Sequence, residues 1–63
     1  MKILLADDDL SLRRVLQFKL SKNGHDVTAV EDGNDALVRL RRDRWDLLLS
    51  DIKMPNVDGI LYL

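Results

Sequence analysis

Apolar residues are distributed along this chain in two alternating rhythms. "KILLA" (Lys2 to Ala6) is a short, nearly continuous apolar run. Such a run reads as a strand buried on both faces, the habit of central parallel strands. After "DDD" the spacing changes. Leu12, Val15, Leu16 and Leu20 fall on one stripe of a helix, while Arg13, Arg14, Gln17, Lys19 and Lys22 lie mostly off it. Asp9 suits the N-cap and Asn23-Gly24 the stop, so the spacing predicts a helix over roughly 10–22. "DVTAV" (26–30) alternates more and predicts a less buried strand, and "EDG" (31–33) a turn. Asn34 is placed to cap a second helix over about 34–43, with Ala36, Leu37 and Leu40 inward. "WDLLLS" (45–50) predicts a third, buried strand ending at Asp51. Pro55 and Asp58-Gly59 make the following loop, and "ILYL" (60–63) offers the opening of a third helix.

Strand, helix, strand, helix, strand with short loops predicts an α/β fold, parallel strands and right-handed crossovers. With strand 2 on one side of strand 1 and strand 3 on the other, the order is 2-1-3, and the two helices cover opposite faces. Strand 2, the least apolar, belongs at the outer edge.

Composition narrows the class. Sixty-three residues make at most one domain, and 46% hydrophobic with 33% charged is ordinary for a folded chain. A chain this small buries only about 60% of the surface its unfolded form exposes, so marginal stability is expected. The net charge of -1 gives no global sign of nucleic acid or membrane surface. The chain has no cysteine, which excludes disulfides and thiolate metal sites and fits a cytoplasmic location. No apolar run approaches the roughly 18 residues needed to span a bilayer.

The order 2-1-3 has a chemical consequence. Strands 1 and 3 become neighbours, and both end in acid: Asp7 and Asp8 at one tip, Asp51 at the other. Neighbouring strand ends lie about 5 Å apart. The gap between them is the topological switch point, where such sheets bind ligands. Three carboxylates gathered there repel one another unless a cation intervenes. A hard divalent ion such as Mg²⁺ suits an all-oxygen donor set.

These residues carry a resemblance. "ILLADDD" with Asp7 and Asp8, "EDGNDAL" at the second turn, and "LLLSDIKMPNVDG" around Asp51 resemble the N-terminal half of a two-component response regulator receiver domain, over the whole chain. The last segment is most similar to receivers of enhancer-binding transcription activators. The resemblance implies a flavodoxin-like receiver half, residues 1–63, cut before a third helix is complete. It implies that Asp51 is the phospho-acceptor, serving a sensor histidine kinase in signal transduction rather than acting as an enzyme. It implies that Asp8 and Asp51 ligate Mg²⁺ through side chains, Lys53 through its backbone carbonyl, and Asp7 through a metal-bound water. Pro55 and Gly59 would shape the loop. The Ser or Thr and the Lys that a complete receiver supplies later in its chain are not among these residues, so weak or absent phosphotransfer is the expectation.

Other readings stand beside it. An acidic triplet before a helix also serves as cap and dipole partner. Arg39, Arg41, Arg42 and Arg44 read as a solvated helix face interrupted by Asp43, a poor match for direct nucleic-acid contact. His25, the one histidine, reads as structural, and Phe18 and Val38 as exposed apolar positions off their helices' stripes. "DLLLS" as an unpaired sheet edge is a template for another chain, which predicts a homodimer or a phosphorylation-independent interaction fragment. "DDDLS" also resembles the nucleophile motif of haloacid-dehalogenase phosphatases, with Asp7 as nucleophile and Asp9 as acid/base.

Overall fold

A computed structural model of the chain describes residues 1–50 with their side chains and the backbone of residues 60–62. Its elements are β1 (Lys2–Ala6), α1 (Leu10–Lys22), β2 (Asp26–Val30), α2 (Gly33–Arg42), β3 (Leu47–Ser50) and β4 (Ile60–Tyr62). They form one sheet of order β2-β1-β3-β4. β1 pairs parallel with β2 and with β3, giving the expected 2-1-3 core.

β4 corrects two expectations. "ILYL" does not open a helix, since Ile60–Tyr62 pair antiparallel with β3 in the register Leu49↔Ile60 and Leu47↔Tyr62. β3 is therefore not an open edge, and the unpaired strand on which the expected homodimer along β3 rests is covered by β4. The physical reason is backbone satisfaction. The outer N–H and C=O groups of an apolar strand are costly to leave unpaired, and a short segment of Ile, Leu and Tyr fits a pleated surface. An antiparallel edge strand on an otherwise parallel sheet is a common solution.

Side chains alternate along β1. Leu4 and Ala6 join Val30, Ala36, Trp45 and Leu48 in one apolar cluster, against which Leu37 and Leu40 of α2 pack. The alternate residues Ile3, Leu5 and Leu47 are also buried, on the other face. Right-handed crossovers running in opposite directions place α1 on that face, where it packs on β2 and β1.

Local chemistry sets the helix ends. Asp9 caps α1, its side chain accepting from the Leu12 N–H. At the far end the Asn23 N–H donates to the Lys19 and Leu20 carbonyls, and Gly24 takes φ +89, the left-handed conformation that suits glycine. The cap of α2 differs from expectation. Asp32, not Asn34, accepts from a first-turn N–H, that of Asp35 at 2.8 Å, so the helix begins at Gly33. Both residue types cap well; the exit direction of β2 decides between them.

α1 also departs from its expected stripe. Leu16 and Leu20 are half-buried, but Leu12 is 42% and Val15 48% exposed. The helix packs on β2 and β1, with Leu16 and Leu20 its half-buried apolar residues. Phe18 and Val38 are exposed, as read from their positions off the stripes.

Trp45 precedes β3 rather than opening it, and is buried with its indole N–H donating to the Arg39 carbonyl at 2.9 Å. The Lys2 ammonium sits 4.8 Å from the centre of its ring. His25 has a structural partner, its Nδ1 lying 3.1 Å from the Met1 amine. Among the described residues no helix is long and apolar enough to cross a membrane.

Candidate functional site

β1 and β3 end level. Ala6 is the register partner of Ser50 and of Val30. The next residue along β1 is Asp7, buried at 2% exposure, a rare place for a carboxylate without partners. Its N–H, its Oδ1 and its carbonyl all have partners. Its N–H donates to the Val30 carbonyl at 3.1 Å, extending the β1–β2 ladder by one residue. Its Oδ1 accepts from the Asp9 N–H at 2.9 Å. Its carbonyl accepts from Arg13 Nη1 at 2.8 Å.

Asp8 follows on a chain so held and is exposed. Among the described residues its carboxylate makes no hydrogen bond. The acidic triplet therefore divides its labour: Asp7 is fixed within the strand tip, Asp8 is presented outward, and Asp9 caps α1. The N-terminus of α1 itself carries positive partial charge and lies beside these carboxylates. Glu31 and Asp32, at the tip of β2, add to the acidic character of this end.

Asp51, Lys53, Pro55 and Gly59 lie outside the described residues. Asp51 directly follows Ser50, which is buried at the end of β3. Among the described residues no group of three or more acidic or histidine side chains gathers to hold a metal ion. What is present is part of a donor set: two adjacent carboxylates, one buried and one exposed, with oxygen as the only donor type. That chemistry fits Mg²⁺ or another hard cation and not a soft one.

The alternative with Asp7 as a phosphatase nucleophile and Asp9 as acid/base finds no support in this geometry. The Asp9 carboxylate is engaged at the first turn of α1, and Asp7 is buried with Oδ1 occupied. A concavity of about 550 Å³ lined by Leu40, Asp43, Arg44, Trp45 and Asp46 lies at the opposite end of the strands. The Asp46 N–H bonds the Lys2 carbonyl at the start of β1, so this concavity is remote from Asp7.

An acidic pair at the switch point of a 2-1-3 sheet is what a receiver requires, and the family model of the response regulator receiver domain matches residues 3–63. The chain belongs to this family. Among curated receiver proteins it is 39% identical over 59 residues to the alkaline phosphatase synthesis transcriptional regulatory protein PhoP of Bacillus subtilis, covering 94% of this chain and 25% of that one. It is 48% identical over 59 residues to the response regulator receiver protein CpdR of Brucella abortus, covering 94% and 49%. Among solved structures, the receiver superposes on the chemotaxis response regulator CheY4 of Vibrio cholerae with a TM-score of 0.79 and 34% identity, over 89% of this chain and 47% of that one. The chain thus spans a quarter to a half of the length of these relatives.

Two features of the receiver's site were not read from the sequence. Arg13 lies off the apolar stripe as one of several polar residues, yet it reaches back six positions to the tip of β1. Asp32, within the turn 31–33, caps α2. The signal for Arg13 was weak: a basic residue in the second turn of a helix has many ordinary uses.

Proposed function

We propose that this receiver accepts a phosphoryl group on Asp51 and so serves as the input module of a two-component signalling protein in the cytoplasm. One observation carries the reading: β1 and β3 end level at Ala6 and Ser50, with Asp7 pinned and Asp8 exposed just past the tip of β1, and Asp51 next in the chain after Ser50. The Asp51 carboxylate would attack the phosphorus of a phosphohistidine. An O–P bond forms, the N–P bond breaks, and the imidazole nitrogen leaves with the electron pair. The module receives the group and releases no product of its own, so it acts as a signalling element rather than an enzyme.

Asp8 and Asp51 would hold Mg²⁺ through their side chains, Lys53 through its carbonyl, and Asp7 through a water. Bound there, the ion would neutralise charge on the moving phosphoryl group. The chain's own contribution is orientation. Buried Asp7 anchors the strand tip, and Asp9 holds α1 so that its positive end faces the carboxylates.

The sensor kinase would dock on α1, beside the acidic tip of β1. That helix exposes Leu10, Leu12, Val15 and Phe18, and its charged residues are Arg13, Arg14, Lys19 and Lys22 with no acid. Such a surface fits an acidic protein face with apolar ridges. A homodimer is a second reading favoured by the same exposed apolar residues, although α1 faces of like charge repel when apposed. Sedimentation at micromolar concentration tests it, and a monomer with Phe18 still exposed refutes it.

The decisive experiment incubates the chain with a small acyl-phosphate donor and Mg²⁺ and maps the phosphate by mass spectrometry. Phosphate on Asp51, lost in Asp51→Asn, is the expected result. Phosphate on Asp7 or Asp9, or none on any aspartate, overturns the proposal.

A further inference from the structure

Of the four basic residues of α1, three point to solvent and one does not. Arg14, Lys19 and Lys22 are exposed, whereas Arg13 is half-buried with its guanidinium against the end of β1. The carbonyl it bonds belongs to the last residue whose N–H is still in the β1–β2 ladder. Past that point the strand partners diverge, and this carbonyl needs another donor.

We infer that Arg13 is a positioning residue of the cation site, holding the Asp7–Asp8 peptide in the orientation that presents Asp8. This rests on the Mg²⁺ site proposed above. The peptide bond is planar, so fixing the Asp7 carbonyl fixes the Asp8 N–H and the plane from which the Asp8 side chain departs. With the Asp7 N–H and Oδ1 also bonded, rotation about Asp8 is the main freedom left at the tip. Arginine suits the role because it keeps its charge and spends little freedom when its planar fork bonds a carbonyl.

The inference has a sign that separates it from a simple charge effect. A guanidinium beside carboxylates weakens their attraction for a cation, so deleting its charge alone would tighten Mg²⁺. Deleting the pin loosens Asp8 and weakens Mg²⁺. Arg13→Met keeps the aliphatic stem and removes both charge and donors. Arg13→Lys keeps the charge and one donor that can reach a carbonyl.

Mg²⁺ titration followed by NMR, with circular dichroism as the check on folding, tests this. The unmodified chain should bind Mg²⁺ and Asp8→Asn should bind it at least tenfold more weakly. Arg13→Met should bind at least threefold more weakly, and Arg13→Lys should recover most of the loss. In metal-free samples the Asp7 carbonyl and Asp8 amide resonances should shift in Arg13→Met and return toward their original positions in Arg13→Lys. Equal or tighter Mg²⁺ binding by folded Arg13→Met overturns the inference while leaving the site intact. If the unmodified chain binds no Mg²⁺, the site reading fails and takes the inference with it. Should Arg13→Met not fold, the Nη–H groups of Arg13 in the unmodified chain decide. Hindered rotation by nitrogen-15 NMR supports the pin, and free rotation overturns it.

Discussion

The three consecutive aspartates invite one reading as a charge cluster, and the structure predicts that two of them respond to mutation in opposite ways. Asp9→Ala removes the oxygen that accepts the Leu12 N–H. Loss of such a cap costs about 1 kcal/mol, and loss of a carboxylate at a helix N-terminus adds roughly 0.5 kcal/mol. The backbone N–H of residue 9, which bonds Asp7 Oδ1, survives the substitution. With a urea slope near 1 kcal/mol per molar for so small a chain, the midpoint should fall by about 1 to 1.5 M. Mg²⁺ affinity should fall by no more than about threefold, about 0.7 kcal/mol, through the lost long-range charge. Asp8→Asn has the inverse profile. Its carboxylate is exposed and makes no hydrogen bond among the described residues, so stability should stay within about 0.5 kcal/mol. Removing a direct ligand should weaken Mg²⁺ by at least tenfold, about 1.4 kcal/mol. Urea melts by circular dichroism and Mg²⁺ titration by NMR on both variants give the four numbers. If Asp9→Ala loses Mg²⁺ as fully as Asp8→Asn while its midpoint holds, the division of roles within the triplet is wrong.

Leu48→Ala empties a fully buried position between Leu4 and Trp45 in the α2-side core, at a cost of about 2–5 kcal/mol; a chain this small has about that much stability in total, so cooperative melting at 25 °C should disappear, and a midpoint within 0.5 M of the original (about 0.5 kcal/mol) would contradict the packing. Gly24→Ala places a Cβ in open space at φ +89, so its cost is backbone strain alone, about 1 kcal/mol, and a gain in stability would show that the left-handed turn is not retained. Trp45→Phe removes the indole N–H, but the Asp43 N–H still bonds the Arg39 carbonyl, so the loss should be about 1–2 kcal/mol against about 3–5 for Trp45→Ala; equal melts for the two variants would refute the account of that corner.

The sheet was legible because its signals are local. "KILLA" is apolar throughout, which only a strand covered on both faces tolerates, and Ile3, Leu4, Leu5 and Ala6 are all buried. Asp9, Asn23 and Gly24 announced the ends of α1 through capping chemistry that depends on a few neighbouring residues. The level ends of β1 and β3 followed from strand order, and with them the acidic pair at the switch point. The haloacid-dehalogenase alternative shows the limit of such local signals. "DDDLS" matched a spacing, while the hydrogen bonds that occupy Asp7 and Asp9 depend on where α1 turns.

The order of apolar and polar residues, taken alone, settled the first three strands and two helices, the parallel pairing in the sequence 2-1-3, and the end of the sheet where carboxylates collect. Those outcomes depend on periodicity, capping and crossover handedness, all of which act over short stretches of chain. The folded chain alone decided the rest. Ile60–Tyr62 became a strand because the outer edge of β3, outside the reach of any helical or strand periodicity in "ILYL" itself, needed backbone partners. Leu12 and Val15 stayed exposed because α1 leans over β1 and β2, a packing direction that no helical stripe encodes. Arg13 reached Asp7 because the turn between β1 and α1 folds the helix back over the strand tip, bringing a guanidinium to a carbonyl that the sheet had left without a donor.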